Sequence, residues 1–260
     1  MNFNNVTRTY TLKSTIKTYG GNQFGCLKAF TFMSDNSTTY YVNDYCNGNV
    51  LIFNQNWNYL TFKFISYYLE YSMVINNYLY LTAYSFGIFK TDKYLNIIGN
   101  YVSDYFEGMY YNSSSNSIFV ASYYDNRIVE LTLDLSFISS IDTNYYMPFS
   151  INGANNKLYV GTFEGDILVL INRKISQVYL GCKSIGSYFT ASSILFDNYG
   201  NVGVNCYSSY DNYFAVFFIN GTFTGNKLLT PVTNSESPDV KFDSLNRLIA
   251  ISSKQISIFY

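Results

Sequence analysis

The sequence predicts an all-β chain made of stacked copies of one short meander, and three observations predict it. Apolar and polar residues alternate with a period of two in short runs bounded by Gly, Asn, Asp and Ser, and helical periodicity is absent. Aromatic residues make up 20% of the 260 positions and charged residues 13%, a shift toward strand-forming Tyr and Phe. The third observation is a repeat. From Ser113 to Ile141 the chain holds three strands and two turns: Ser117 to Ser122 around Ile118, Phe119 and Val120, then Arg127 to Leu133, then Phe137 to Ile141. A meander of that size cannot bury enough apolar area alone, so copies must stack face to face. Matching positions recur at Tyr41, Tyr80, Phe119, Tyr159, Val204 and Ile249, at steps of 39, 39, 40, 45 and 45 residues. A period of roughly forty with several strands per repeat predicts a β-propeller, and six anchors predict six blades.

Taken in order, the elements are as follows. Thr9 to Lys17 alternates around Tyr10, Leu12, Ser14 and Ile16 with no hairpin partner beside it. One domain over residues 1–260 is expected, with blades at about 28–62, 71–99, 109–141, 149–180, 192–228 and 239–260. The last of these is one strand short, so residues 9–17 are expected to close it as its outer strand and remove an exposed edge. Asn47-Gly48 marks the hairpin turn of the first blade, Gly87 that of the second and Glu164-Gly165-Asp166 that of the fourth.

The segments V-N-D-Y-C-N-G-N-V-L-I-F (Val42 to Phe53) and V-A-S-Y-Y-D-N-R-I-V-E-L (Val120 to Leu131) resemble the NHL repeat of six-bladed propellers. The resemblance implies the propeller fold and a choice among protein-binding, RNA-binding and occasional catalytic roles, which fold alone does not make. The net charge is −1 and the sixteen basic residues are scattered singly, so no nucleic-acid partner is expected. The longest apolar runs, such as Ile167 to Ile171, fall far short of the roughly twenty residues of a membrane span, so no membrane insertion is expected. Met1 to Gly20 is polar and holds no signal-peptide core.

There is no histidine, which removes His-based triads and His-ligated zinc. No phosphate-cradling glycine motif is present either. Cys26 and Cys182 each precede an innermost strand, while Cys46 and Cys206 each follow a second strand, 20 and 24 residues later. Two within-blade disulfides are expected, Cys26–Cys46 and Cys182–Cys206, which imply an oxidising, extracellular compartment. Sequons stand at Asn5, Asn36, Asn112 and Asn220, the last three in expected turns where a glycan could sit.

Acidic residues are the candidate chemistry. Glu70, Glu107, Glu236 and Asp239 each lie just before an innermost strand, where they would converge on the mouth of the central channel and could hold calcium. Phe106-Glu107-Gly108 is similar to the segment by which gluconolactonase-type propellers supply a metal-binding Glu, which implies a metal-dependent, lactonase-like hydrolase. Lys28 and Lys241 stand beside the same strands and are expected to reach for water. A small ligand or metal is expected at that mouth and not between blades. The leading expectation is a non-enzymatic extracellular recognition or adhesion module, binding a protein or glycan through Tyr-rich loops with no cofactor other than possible calcium. A structural building block of a larger chain is the third reading.

Overall fold

The computed structural model describes residues 12–34, 38–102, 105–144, 146–184, 189–196, 202–207, 212–217, 223–229, 239–242, 247–252 and 254–259. Among them the alternation resolves into six four-stranded antiparallel sheets. Sheet one is Leu27–Ser34, Thr38–Asp44, Asn49–Phe53 and Tyr59–Phe64, and sheet two is Leu69–Ile75, Tyr78–Ala83, Gly87–Thr91 and Ile97–Tyr101. Sheet three is Phe106–Asn112, Ser117–Ser122, Arg127–Thr132 and Phe137–Asp142, and sheet four is Pro148–Ala154, Lys157–Thr162, Ile167–Ile171 and Lys174–Tyr179. Sheet five is Thr190–Phe196, Val202–Tyr207, Asn212–Phe217 and Phe223–Leu229. Sheet six takes Asp239–Phe242, Leu248–Ser252 and Gln255–Phe259 from the C-terminal end, and its outer strand is Leu12–Ile16, antiparallel to Gln255–Phe259. A small ribbon, Thr18–Tyr19 with Asn22–Gln23, leads from that strand toward sheet one.

All six anchor positions fall in the second strand of a sheet, and all are buried. Both faces of these strands are covered because successive side chains point to opposite faces. In sheet three, Ile118 and Val120 join a core with Tyr80 and Ile88 of sheet two, while Phe119 joins another with Ile151 and Val160 of sheet four. In sheet one, Tyr41 packs toward sheet two, and Tyr40 and Val42 pack with Ile249, Ile251, Ile256 and Ile258 of sheet six. Each such side chain stabilises by about 1.5–3 kcal/mol when buried, and only a neighbouring sheet can bury it. First strands of successive sheets pack on one another, which makes them the innermost strands. The fourth strands are the rim, with Leu60, Phe62, Phe64, Ile97, Ile98, Phe137 and Ile138 exposed.

The loops between third and fourth strands repeat one device in sheets one to three. The side chains of Asn54, Asp92 and Thr132 each accept two backbone N–H groups, two and four residues further on. The residue three positions on, Trp57, Leu95 or Leu135, takes a left-handed conformation, with φ of 61°, 64° and 63°. Each drops its side chain into the core between its own sheet and the preceding one. A bulky residue at positive φ costs on the order of 1 kcal/mol, which burial of the plug offsets.

Both expected disulfides form, Cys26–Cys46 and Cys182–Cys206, with Cα separations of 5.1 and 5.4 Å. Closing loops of this size contributes about 3 kcal/mol each. One detail differs from expectation: Cys206 lies inside the second strand of sheet five, opposite Ala191, because Cys182 reaches it from a 3-10 turn, Gly181–Ser184, that folds over the strand end. No helix among the described residues is long and apolar enough to cross a membrane.

The pairing of Leu12–Ile16 with the C-terminal strand makes the N-terminus structural. Removing residues 1–18 is expected to expose the Gln255–Phe259 edge and the flank of a core that holds Ile16, Ile256 and Ile258. The thermal midpoint should fall by several degrees or more. A truncated chain that melts with the full-length protein would show that this strand carries no stability.

Candidate functional site

The centre of the molecule is shaped by a repeated irregularity. Near the start of the first strand in sheets one to five, one extra residue interrupts the pairing with the second strand. Leu27 faces Asp44 and Ala29 faces Asn43, so Lys28 is extra, and Glu70, Phe149 and Ser192 are extra in the same way. In sheet three the bulge spans Glu107 and Gly108. A bulge re-aims one side chain out of the pleat. Here Lys28, Glu70, Glu107, Phe149 and Ser192, together with Asp239 at the start of sheet six, line one small central cavity of about 20 Å³. Gly108 permits the approach of sheet four, since a Cβ there would lie 2.9 Å from the Cα of Ser150.

The cavity wall is an ion-pair network. Lys28 Nζ lies 2.9 Å from Glu70 Oε2, and Glu70 hydrogen-bonds to Glu107. Burial first, and then the charge of Glu70, hold the Glu107 carboxyl well above the usual range against the opposing pull of Lys28. Of the two carboxyls, Glu107 is the one that burial and its neighbour push toward the protonated form, while Glu70 is seated directly on Lys28. Burial alone would lower the Lys28 ammonium, but Glu70 and Glu107 outweigh it and raise its pKa. Across the cavity, Lys241 Nζ lies 2.6 Å from Asp239 Oδ2 and donates to the carbonyl of Phe30 at 2.6 Å. Asp239 accepts the Phe30 N–H at 3.2 Å, tying sheet six to sheet one. With the proton on Glu107, the two carboxylates and two ammonium groups balance among the described residues.

Above this network sits a rim of rings. Tyr45, Tyr84, Tyr123 and Phe163 are the first residues after the second strands of sheets one to four. Their N–H groups donate to the carbonyls of Cys26, Tyr68, Tyr105 and Met147, each just before an innermost strand, at 2.8–3.0 Å. That shared latch stands the rings beside one another. Centroids run Tyr45–Tyr68 5.2 Å, Tyr68–Tyr84 6.4 Å, Tyr84–Tyr105 4.5 Å, Tyr105–Tyr124 4.3 Å, Tyr124–Tyr123 4.6 Å and Tyr123–Phe163 5.4 Å. Tyr68, Tyr124 and Phe163 are exposed, and Tyr67 and Phe86 extend the apolar surface. Tyr68 and Tyr105 hold φ near +60°, a conformation bulky residues rarely adopt and one that gathers at binding sites. Lys28 Nζ lies 5.2 Å from the Tyr45 centroid and 5.8 Å from that of Phe149, joining rim to network. Burial, then Glu70, pushes the Tyr45 phenol up to about 12; burial, then Tyr124 and Glu107, does the same for Tyr123. Both remain neutral donors at physiological pH.

Glu70, Glu107 and Asp239 therefore meet at one axis, as their positions suggest. They do so from within the innermost strands, not ahead of them: bulges turn Glu70 and Glu107 inward, and Asp239 is the first residue of its strand. The lysines do not reach for water as expected: an ammonium that left would strand a buried carboxylate, which costs more than its own desolvation. Among the described residues no three His, Cys, Asp or Glu side chains gather as a metal site. Asn112 ends the first strand of sheet three, half-buried, its amide oxygen accepting the Ser114 N–H at 3.1 Å. Glu236, Asn5, Asn36 and Asn220 lie outside the described residues. The Tyr-rich loops are expected from the sequence, but not the register of their rings, although aromatic residues at 45, 84, 123 and 163 step by 39, 39 and 40.

Several solved structures share this fold. Selenomethionine-substituted virginiamycin B lyase from Staphylococcus aureus aligns with a TM-score of 0.70 and 11% identity, over 96% of this chain and 99% of that one. A catalytically inactive variant of that lyase, solved with quinupristin, aligns at 0.69 and 11%, over 95% and 98%. The WD40 β-propeller domain of Doa1 aligns at 0.66 and 12%, over 97% of each chain. These likenesses define the fold as a β-propeller, and the sheets are its blades. No protein-family model and no curated protein sequence matches the chain.

The protonation pattern separates the two glutamates. Glu70→Gln leaves Lys28 buried without its counter-charge and should cost about 3 kcal/mol in urea unfolding. Glu107→Gln exchanges one neutral donor for another and should cost less than about 1 kcal/mol at neutral pH. Because the folded pKa of Glu107 is raised, the unfolded chain releases this proton first. Wild-type stability should then decline relative to Glu107→Gln as pH rises above about 4.5. Equal losses for the two variants would contradict a protonated Glu107.

Proposed function

We propose that the blades form a closed six-bladed ring of NHL-like repeats, completed by Leu12–Ile16, that acts as an extracellular recognition module. It binds a protein or glycan through the tyrosine rim. The observation that carries this reading is the placement of exposed rings over a sealed, charge-neutral axis. Charged groups pair beneath the surface, and what remains for a partner is a row of aromatic rings set edge to face with phenol donors, the composition favoured at recognition surfaces. The central cavity has room for about one water molecule, so recognition takes place on the face and not in a channel. Two disulfides support an oxidising compartment.

The enzymatic alternatives have less support. The inactive lyase is a histidine-to-alanine variant, and this chain has no histidine. A lactonase-like metal at Glu107 would have to displace Lys28 and take a proton from a carboxyl that holds it firmly.

The test is binding to a glycan array and to intact cell surfaces, comparing the parent with Tyr68→Ser/Tyr124→Ser. Both residues are exposed, so the double variant should fold and should lose binding at least about tenfold. Undiminished binding, or none by the parent on either surface, would overturn the rim as a recognition site, the second result leaving the building-block reading in front.

A further inference from the structure

A cavity of about 610 Å³ lies away from the tyrosine rim, between sheets three and four, where the repeat is broken. Between sheets one and two, the Tyr41 hydroxyl donates to the carbonyl of Lys93 at 3.2 Å, and Leu95 plugs the gap. Between sheets two and three, the Tyr80 hydroxyl donates to the carbonyl of Leu133 at 2.8 Å, and Leu135 plugs the gap. At the next junction both devices are missing. The anchor is Phe119, which has no hydroxyl, and the plugged loop is replaced by the two-residue turn Asn172-Arg173, which pairs Ile171 directly with Lys174. A cleft of about 610 Å³ opens in its place.

The wall chemistry is specific. The Tyr110 ring lies against Gly153, where any Cβ would overlap it, and with Phe119 it gives the cleft an aromatic side. Arg173, at φ 65°, crosses from sheet four to Glu130 of sheet three and donates to Ser139 at 2.6 Å. Glu130 also accepts from Ser117 at 2.8 Å and Ser139 at 2.9 Å, so its charge is fully engaged. Arg173 remains half exposed with only Nη2 engaged among the described contacts, and Lys157 lines the cleft with no ion-pair partner among the described residues. The balance is one uncompensated positive charge, surrounded by the amides of Asn155, Asn156 and Asn172 and the hydroxyls of a serine turn.

We propose that this cleft binds a compact carboxylate-bearing polyol, an acidic monosaccharide or disaccharide. Its volume lies within the roughly 300–1,000 Å³ of small-ligand sites. The carboxylate meets Lys157 and Arg173, hydroxyls meet the Asn and Ser groups, and an apolar sugar face lies on Tyr110. The proposed site is separate from the tyrosine rim and departs from the expectation that a small ligand binds at the axial mouth and not between blades.

The experiment is a chemical-shift titration of the full chain with N-acetylneuraminic acid, galacturonic acid and galactose. At least one acidic sugar should give saturable shifts in 112–115 and 153–157, and galactose should bind at least about tenfold more weakly. Lys157→Gln should weaken the acidic sugar by about tenfold, and Lys157→Arg should keep it. Thermal melts check that both variants fold. Equal binding of galactose, shifts confined to the rim, binding indifferent to Lys157→Gln, or no saturable shift at millimolar acidic sugar would each overturn the proposal.

Discussion

The structure depends on one constraint: strands that are apolar on both parities must be covered on both faces. Ser117–Ser122 is buried at every position, so sheet three cannot exist without sheets two and four beside it. The same holds for Thr38–Asp44, whose Tyr40 and Tyr41 point to different neighbours. The innermost strands pack on one another, and bulges in sheets one to five turn residues from each toward the axis, where Asp239 of sheet six joins them. What those residues are decides what the axis can do.

They happen to be mutually neutralising. Lys28 with Glu70 and Lys241 with Asp239 are charge pairs inside a low-dielectric wall, where an unpaired member would be expensive. Glu107 avoids the penalty by keeping its proton. Most of these groups engage one another, although Asp239 Oδ1 has no hydrogen-bond partner among the described residues, and the space between them, about 20 Å³, holds about one water molecule. The exposed aromatic surface lies outward from it, on rings that the latch after each second strand sets beside one another.

Much of the fold is legible in the sequence because alternation and period are local signals. The six anchors land in six second strands, the solitary N-terminal strand pairs with the C-terminal one, and equivalent positions predict both disulfides. The site is less legible, for physical reasons. A bulge adds one residue without changing composition, so the inward turn of Glu70 and Glu107 leaves no mark. The partner of Lys28 lies in another sheet, and hydropathy cannot show that an ammonium will prefer a buried carboxylate to water. The plugs Trp57, Leu95 and Leu135 have no signature in the sequence, since a left-handed plug is visible only in backbone angles. The shortened Asn172-Arg173 turn is readable as a deviation, but its effect depends on what the neighbouring sheet fails to supply.

The central claim is that the axis is sealed by paired charges and leaves the rim as the working surface. A crystal structure grown in excess calcium, with anomalous data to locate the ion, tests it most directly. The account predicts Lys28 and Lys241 still seated on Glu70 and Asp239, and no ion among the bulge residues. Calcium bound to Glu70 and Glu107 with Lys28 displaced would contradict it.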